Sequence, residues 1–159
     1  MKKFITATIL IAFLMMVTMS SVMASDTKAQ KEIKAYLAQL AAQYGNKNTA
    51  GELKLFVPKS TMKYANGKKI TVEQWAEATK KEVAAYKTLS CKVVPGKITV
   101  DGDNAIVTFS ETDSYTMVSK GKTISGKVIS GWTIKLKKTK AGWRAYDFVE
   151  HFERNVPNK

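Results

Sequence analysis

Residues 101–118, DGDNAIVTFSETDSYTMV, constrain this chain more than any other stretch. An Asp101-Gly102-Asp103-Asn104 turn opens it and alternation follows. Successive strand side chains point to opposite faces, so odd and even positions build two separate surfaces. The odd surface carries Ala105, Val107, Phe109, Glu111, Asp113, Tyr115 and Met117. The even surface carries Ile106, Thr108, Ser110, Thr112, Ser114, Thr116 and Val118, mostly small hydroxyls that suit solvent or a second subunit. The odd face is apolar with two carboxylates set into it. Unpaired buried carboxylates cost too much to leave in a dry core, so this face predicts a cavity.

The strands around this one follow from the same parity. A second long strand runs from about Lys122 to Lys138, with Val128, Ser130, Trp132, Ile134 and Leu136 on one face. A tight turn at Lys120-Gly121 places Phe109 opposite Trp132, Val107 opposite Ile134 and Ala105 opposite Leu136. Glu111 then lies beside Ser130, and Asp113 beside Val128. A last strand, Trp143 to about Phe152, has two readings. One points Trp143, Ala145, Asp147, Val149 and His151 inward and is preferred; the other points Tyr146, Phe148 and Glu150 inward. Upstream, Ile98 and Val100 lead into the turn, and Pro95-Gly96 marks an edge or a bulge.

Helices precede the strands. Ile33, Tyr36, Leu37, Leu40, Ala41 and Tyr44 recur at three- and four-residue steps, which predicts a helix over 26–44 that stops at Gly45-Asn46. Thr49 and Glu52 have capping-box spacing and predict a short helix carrying Leu53, Leu55 and Phe56 before Pro58. Asn66-Gly67 predicts a hairpin between residues 62–65 and 68–70. Thr71-Val72-Glu73-Gln74 repeats the capping-box spacing. It opens a third helix to about Leu89, with Val72, Trp75, Thr79, Val83, Tyr86 and Leu89 in one stripe.

Met1–Ala24 reads as a cleavable signal peptide. Lys2 and Lys3 precede an apolar run from Phe4 to Val17, and Val22-Met23-Ala24 is a small-x-small cleavage site. The run is short for a membrane span. The expected location is therefore periplasmic or secreted, with residues 25–159 forming a single domain. The net charge is +13, or +11 without Lys2 and Lys3. Apart from Arg144 and Arg154 the basic residues are lysines, scattered rather than striped, which argues against specific nucleic-acid binding. Weak attraction to anionic envelope surfaces is all that the charge implies. Cys91 stands alone, so no internal disulfide holds the fold, and it reads as a small buried apolar residue.

The order helix, helix, hairpin, helix, antiparallel meander resembles the nuclear transport factor 2-like, or SnoaL-like, superfamily. Phe56-Val57-Pro58, the Asn66-Gly67 hairpin, Gly102 to Val107 and the closing Gly142-Trp143-Arg144-Ala145-Tyr146-Asp147-Phe148 carry the likeness. The resemblance implies an α+β fold with three N-terminal helices packed in a strongly curved, mainly antiparallel sheet, a cone-shaped α+β barrel. It also implies a cavity at the wide end and a homodimer through the sheet. Family members include cyclases, an isomerase, dehydratases and pure binding domains; fold does not fix function.

The candidate catalytic groups are Asp113, Glu111 and Tyr115. Two acids roughly 7 Å apart on one strand face repel, which lifts one toward a useful acid–base range. Tyr115 could donate to a developing oxyanion. The plainer alternative sets both acids at the mouth, paired with lysines. The candidate ligand-binding residues are Tyr64, Trp75, Phe109, Trp132, Asp147 and His151, of which Tyr64, Trp75 and Trp132 read first as core or cavity wall and second as stacking groups for a flat ligand. No metal or cofactor is expected: one His, one Cys, no HxxxH or CxxC, no GxSxG and no Gly-rich phosphate loop. Three functions remain: an exported domain binding a small apolar or aromatic molecule, a cofactor-free isomerase, cyclase or dehydratase, and an envelope dimer module without ligand.

Overall fold

Capping chemistry fixes where the first helix begins. In a computed structural model that describes residues 26–157, the Thr27 hydroxyl accepts from the Gln30 amide while the Gln30 side chain accepts from Thr27 N–H. This reciprocal pair starts α1 (Lys28–Gly45). Its Ile33, Leu37 and Leu40 face inward and are buried. The expected leader, Met1–Ala24, lies outside the described residues.

The second helix, α2 (Thr49–Leu53), differs from expectation at its cap. Asn48, not Thr49, is the capping residue; its side chain accepts from Gly51 N–H at 3.0 Å. Glu52 is therefore free of capping duty and turns inward. Leu55 is buried in the connection, and Phe56 opens a strand instead of closing the helix.

Six strands form one mixed, curved sheet in the order β2-β1-β6-β5-β4-β3, with the helices packed against it. The strands are β1 (Phe56–Lys63), β2 (Lys69–Thr71), β3 (Tyr86–Asp101), β4 (Asn104–Ser119), β5 (Lys122–Thr139) and β6 (Gly142–Pro157). Only the β1–β6 pairing is parallel. The β4–β5 register is the expected one throughout: Ala105 opposite Leu136, Val107 opposite Ile134, Phe109 opposite Trp132, Glu111 opposite Ser130 and Asp113 opposite Val128. Lys120 and Gly121 make the two-residue turn, both with positive φ (50° and 75°), as a twisted hairpin requires.

Bulges account for where periodicity misleads. The third helix, α3 (Val72–Ala84), ends well before Leu89. Tyr86 and Leu89 are three apart, as on a helix, yet both belong to β3. The ladder there pairs Tyr86 with Met117 and Thr88 with Thr116, so Lys87 is an extra residue that reverses parity. A second shift in β3, between Pro95 and Ile98, falls where Pro95-Gly96 predicts one, on the edge strand.

β6 carries two more extra residues, and neither reading of its facing holds throughout. Leu136 pairs with Ala145 and Lys135 with Asp147, leaving Tyr146 unpaired; Trp132 pairs with Glu150 and Gly131 with Phe152, leaving His151 unpaired. Each bulge exchanges the faces. Trp143 and Ala145 are buried inward as preferred, and Phe148 and Glu150 then take over the inner face. Asp147 and His151 are thereby on the outer surface. Asp147 pairs with Lys135 at 3.0 Å, and the His151 Nε2 hydrogen-bonds the Thr133 hydroxyl at 2.6 Å.

The dry core lies at one end of the cone. Ile33, Leu37, Val72, Val107, Ile134 and Leu136 are fully buried there. Trp143 closes it, donating its indole N–H to Glu32 at 3.1 Å under the Lys138 ammonium. Tyr36 reaches through the core to donate to the Leu55 carbonyl at 3.1 Å. Among the described residues no helix is long and apolar enough to cross a membrane.

Candidate functional site

Beyond Phe109 the inner face of β4 turns from aliphatic to acidic, and a cavity of about 360 Å³ opens between it and the helices. Antiparallel pairing assembles its floor. Cys91 of β3 lies opposite Asp113, and Ser130 and Val128 of β5 lie opposite Glu111 and Asp113. Tyr115 pairs with Gly126 and its ring uses the space a side chain there would take: a Cβ would collide with the end of the Tyr115 ring. The Tyr115 ring stacks on Tyr86 with centroids 4.7 Å apart, and Tyr86 donates to Glu82 of α3 at 2.6 Å.

One wall is aromatic. Trp75 meets Phe56 at 5.8 Å, Phe56 meets Phe148 at 5.2 Å and Phe148 meets Trp132 at 5.5 Å between centroids. The Trp132 indole donates to Ser130 at 2.8 Å, which fixes the ring against the floor. Tyr64 and Met62 complete that side. Glu150 enters from β6 and accepts from the Ala65 amide at 3.0 Å, tying the β1–β2 turn to the cavity rim.

The acids are crowded and poorly compensated. Asp113 is only 8% exposed and Glu52 only 4%, and one oxygen of each, Asp113 Oδ1 and Glu52 Oε2, is buried with no hydrogen-bond partner. Burial, more than anything else, pushes the Asp113 carboxyl up to about 6, although hydrogen bonds with Cys91 and Glu111 hold it down. Burial and then the Asp113 charge push Glu111 well above the usual carboxylate range. Together the two carboxyls hold a proton more tightly than ordinary carboxyls do. Burial followed by repulsion from Asp113 raises Glu52 to about 9. Glu153 is raised by the same two effects, with Glu150 and Glu82 as its repelling neighbours.

Pairing with lysines at the mouth does not occur. Among the described residues no lysine or arginine lines the cavity. Cys91 is half-buried against the acid pair, not sunk in an apolar core. Burial and the Glu111 and Asp113 charges push its thiol up, which makes it a poor nucleophile. Strand register also brings Cys91, Glu111 and Asp113 together, each with one donor atom within 4.8 Å of the others, a grouping invisible to sequence spacing. A metal needs these groups deprotonated, which their surroundings oppose.

Of the residues expected at a site, Glu111, Asp113, Tyr115, Tyr64, Trp75 and Trp132 converge on the cavity. Phe109 is buried edge-on against Phe148 and lies outside the lining. Asp147 and His151 are on the outer face, for the reason given by the two β6 bulges. Sequence reasoning missed Glu52, Glu82 and Glu153, along with Tyr44 and Tyr86, and had Glu150 inward only in the less favoured reading of the last strand. Glu82 was findable, since it continues the Trp75–Thr79 stripe at helical spacing.

No family model matches the chain, and no curated protein matches its sequence. Solved structures do match. A provisionally named scytalone dehydratase from Novosphingobium aromaticivorans has a TM-score of 0.70 at 11% identity, covering 81% of this chain and 87% of its own. A protein from Salmonella enterica serovar Typhimurium, described as of the nuclear transport factor 2-like superfamily, has a TM-score of 0.64 at 17% identity, covering 82% and 92%. This chain has the nuclear transport factor 2-like fold. A third match, provisionally named a dehydratase of the nuclear transport factor 2-like family, from Streptomyces avermitilis, has a TM-score of 0.62 at 11% identity, covering 82% and 96%. In this nuclear transport factor 2-like cone, the acid cluster occupies the open end and the aliphatic core the closed one. Such low identities establish the fold and leave the activity to the site itself.

Proposed function

We propose that the protein binds a small organic molecule in the acid- and aromatic-lined cavity. One observation carries this reading: Asp113 Oδ1 and Glu52 Oε2 are buried without partners beside a cavity of about 360 Å³. Buried acceptors left unsatisfied are costly in a pure scaffold, and a bound donor would satisfy them. The cavity is open, not plugged by its tryptophans and Met62, which weakens the alternative of a ligand-free dimer module. The Met1–Ala24 pattern supports a site of action outside the cytoplasm. The test is a thermal-shift screen of metabolite-sized compounds, because a ligand that binds only the folded state raises the melting temperature by mass action. Absence of any hit, with the protein demonstrably folded, would count against a binding cavity.

A second reading is proton-transfer catalysis of the isomerase, cyclase or dehydratase kind. It draws support from Asp113, raised to about 6 beside a Glu111 raised well above the usual carboxylate range, and from the dehydratase names of two fold neighbours. Asp113 would take a proton from carbon or water, and Glu111 or Tyr115 would donate to the developing negative charge. Once a substrate is found, Asp113→Asn should abolish turnover while sparing affinity. Equal loss of both would remove the catalytic role.

A further inference from the structure

The distribution of charge over the molecule is uneven in a way that the binding reading alone does not require. The chain has twice as many basic as acidic residues, 26 against 13. Yet the acids Glu52, Glu82, Glu111, Asp113, Glu150 and Glu153 all line the one cavity, and no described lysine or arginine does. The remaining wall is chiefly aromatic, from Tyr44, Tyr64, Trp75 and Trp132, whose ring faces are also electron-rich. Among the described residues, the protein supplies no cation to a site lined by acids and aromatic rings.

We propose that the ligand of this cavity is an organic cation, specifically a protonated amine carrying an apolar or aromatic body. This rests on the binding reading above and narrows it. The two unpartnered carboxylate oxygens, on Glu52 and Asp113, are acceptors facing the same space, and an ammonium brings the N–H donors they lack. Trp75, Trp132 and Phe148 offer faces and edges to the rest of the molecule, and a cation close to an indole or phenol face is attracted by its quadrupole. Glu82 and Glu153 are exposed where Glu52 and Asp113 are buried, so the entering charge meets acid at the rim before acid at the floor. Such an arrangement reverses, locally, the repulsion that a positive surface exerts on cations. An anionic ligand would face six acidic side chains with no counter-charge from the wall, and would oppose the ionisation of each. A bare metal ion would engage Cys91, Glu111 and Asp113 in one corner and leave Glu52 and the aromatic wall without a role.

Three probes of nearly one size separate charge from shape: 2-phenylethylamine, 2-phenylethanol and phenylacetate. Their affinities for the whole protein are measured by calorimetry at neutral pH, with Zn²⁺ as a fourth titrant. The amine should bind about tenfold or more tighter than the alcohol, phenylacetate weakest of all, and added salt should weaken the amine alone. In Glu52→Gln with Asp113→Asn the preference for amine over alcohol should shrink at least severalfold, the alcohol affinity staying put. Both replacements are close in shape; Asp113→Asn removes a buried charge, Glu52→Gln removes an acid that an arriving ammonium would ionise, and a thermal melt confirms that the variant is folded. Equal binding of amine and alcohol, tighter binding of phenylacetate, or an amine preference that survives the double variant overturns the cationic ligand but leaves a binding cavity. Binding of Zn²⁺ with no organic probe, or of nothing at all, overturns both.

Discussion

The inner face of β4 and β5 is continuous, yet its two halves behave as different materials. In the first half Ala105, Val107 and Phe109 stand opposite Leu136, Ile134 and Trp132. In the second half Glu111 and Asp113 stand opposite Ser130 and Val128. Both halves obey the same alternation, so the sheet alone sets which side chains point inward. What lies across the gap differs. Ile33, Leu37 and Val72 fill the space over the first half, whereas Tyr44, Glu52 and Thr79 border an opening over the second. Parity is thus a property of the strands, and dryness a property of the helices above them.

The most damaging way to test that division is to empty the dry half. Leu136 is fully buried, and Leu136→Ala removes its packing and leaves a void, at a cost of about 2–5 kcal/mol. Urea unfolding measures it. A loss below about 1 kcal/mol would show that the narrow end collapses easily and is not the rigid base assumed here.

A smaller effect, of opposite sign, is expected in the acidic half. The Glu52 carboxyl stands at about 9 in the folded chain against an ordinary 4.5. The native state then holds a proton that the unfolded chain releases. The associated stability is fully present below about 4.5 and is lost as pH rises through about 9. Asp113, raised from 3.8 to about 6, adds a loss of the same sign over that lower window. The protein should therefore melt higher near pH 5 than near pH 9. Glu52→Gln should flatten the slope and stabilise the protein at pH 8 by about 1–3 kcal/mol. A melting temperature that rises steadily with pH would contradict the assigned protonation of the cavity.

How much of this was legible in the sequence depended on whether parity stayed unbroken. The whole β4–β5 ladder was, because sixteen residues alternate without interruption and a two-residue turn preserves the register. The strands β3 and β6 were not, because Lys87, Tyr146 and His151 are extra residues with nothing in their chemistry to announce a bulge. Glu150 was misplaced for that reason, since only the shift at Tyr146 brings it to the side of Trp143, and Glu153 lies beyond the expected strand end at Phe152. Glu52 was hidden differently. Its spacing from Thr49 satisfied a capping rule that Asn48 in fact fulfils, and a local signal outweighed a tertiary one. The aromatic wall was visible as residue types but not as a wall, since Phe56, Trp75 and Phe148 come from three distant segments.

Tyr115 permits an intermediate test at the border of the cavity. Gly126 opposite it has no side chain, and the tyrosine ring occupies that space. Gly126→Val should displace the ring from its stack on Tyr86, cost about 1–3 kcal/mol and widen the cavity mouth. Tyrosine fluorescence and the melting temperature report it. Full retention of both would mean that the ring relocates freely and shapes nothing.

The smallest expected effect is also the sharpest test of facing. Asp147 and His151 sit on the outer surface, where Asp147 meets Lys135 at 3.0 Å and His151 meets Thr133 at 2.6 Å. An exposed ion pair contributes little, because water screens it and the long lysine chain must be held still. Asp147→Asn should therefore shift stability by no more than about 0.5 kcal/mol, and His151→Ala should leave the affinity of any cavity ligand unchanged. If instead either substitution altered ligand affinity as much as Asp113→Asn does, the β6 bulges would have to be absent in solution. The inner face would then revert to simple alternation, placing Asp147 opposite Ile134 and His151 opposite Ser130, the neighbour of Glu111. Since one slipped residue separates these two arrangements, a binding measurement on two surface variants can decide the inward set of an entire strand.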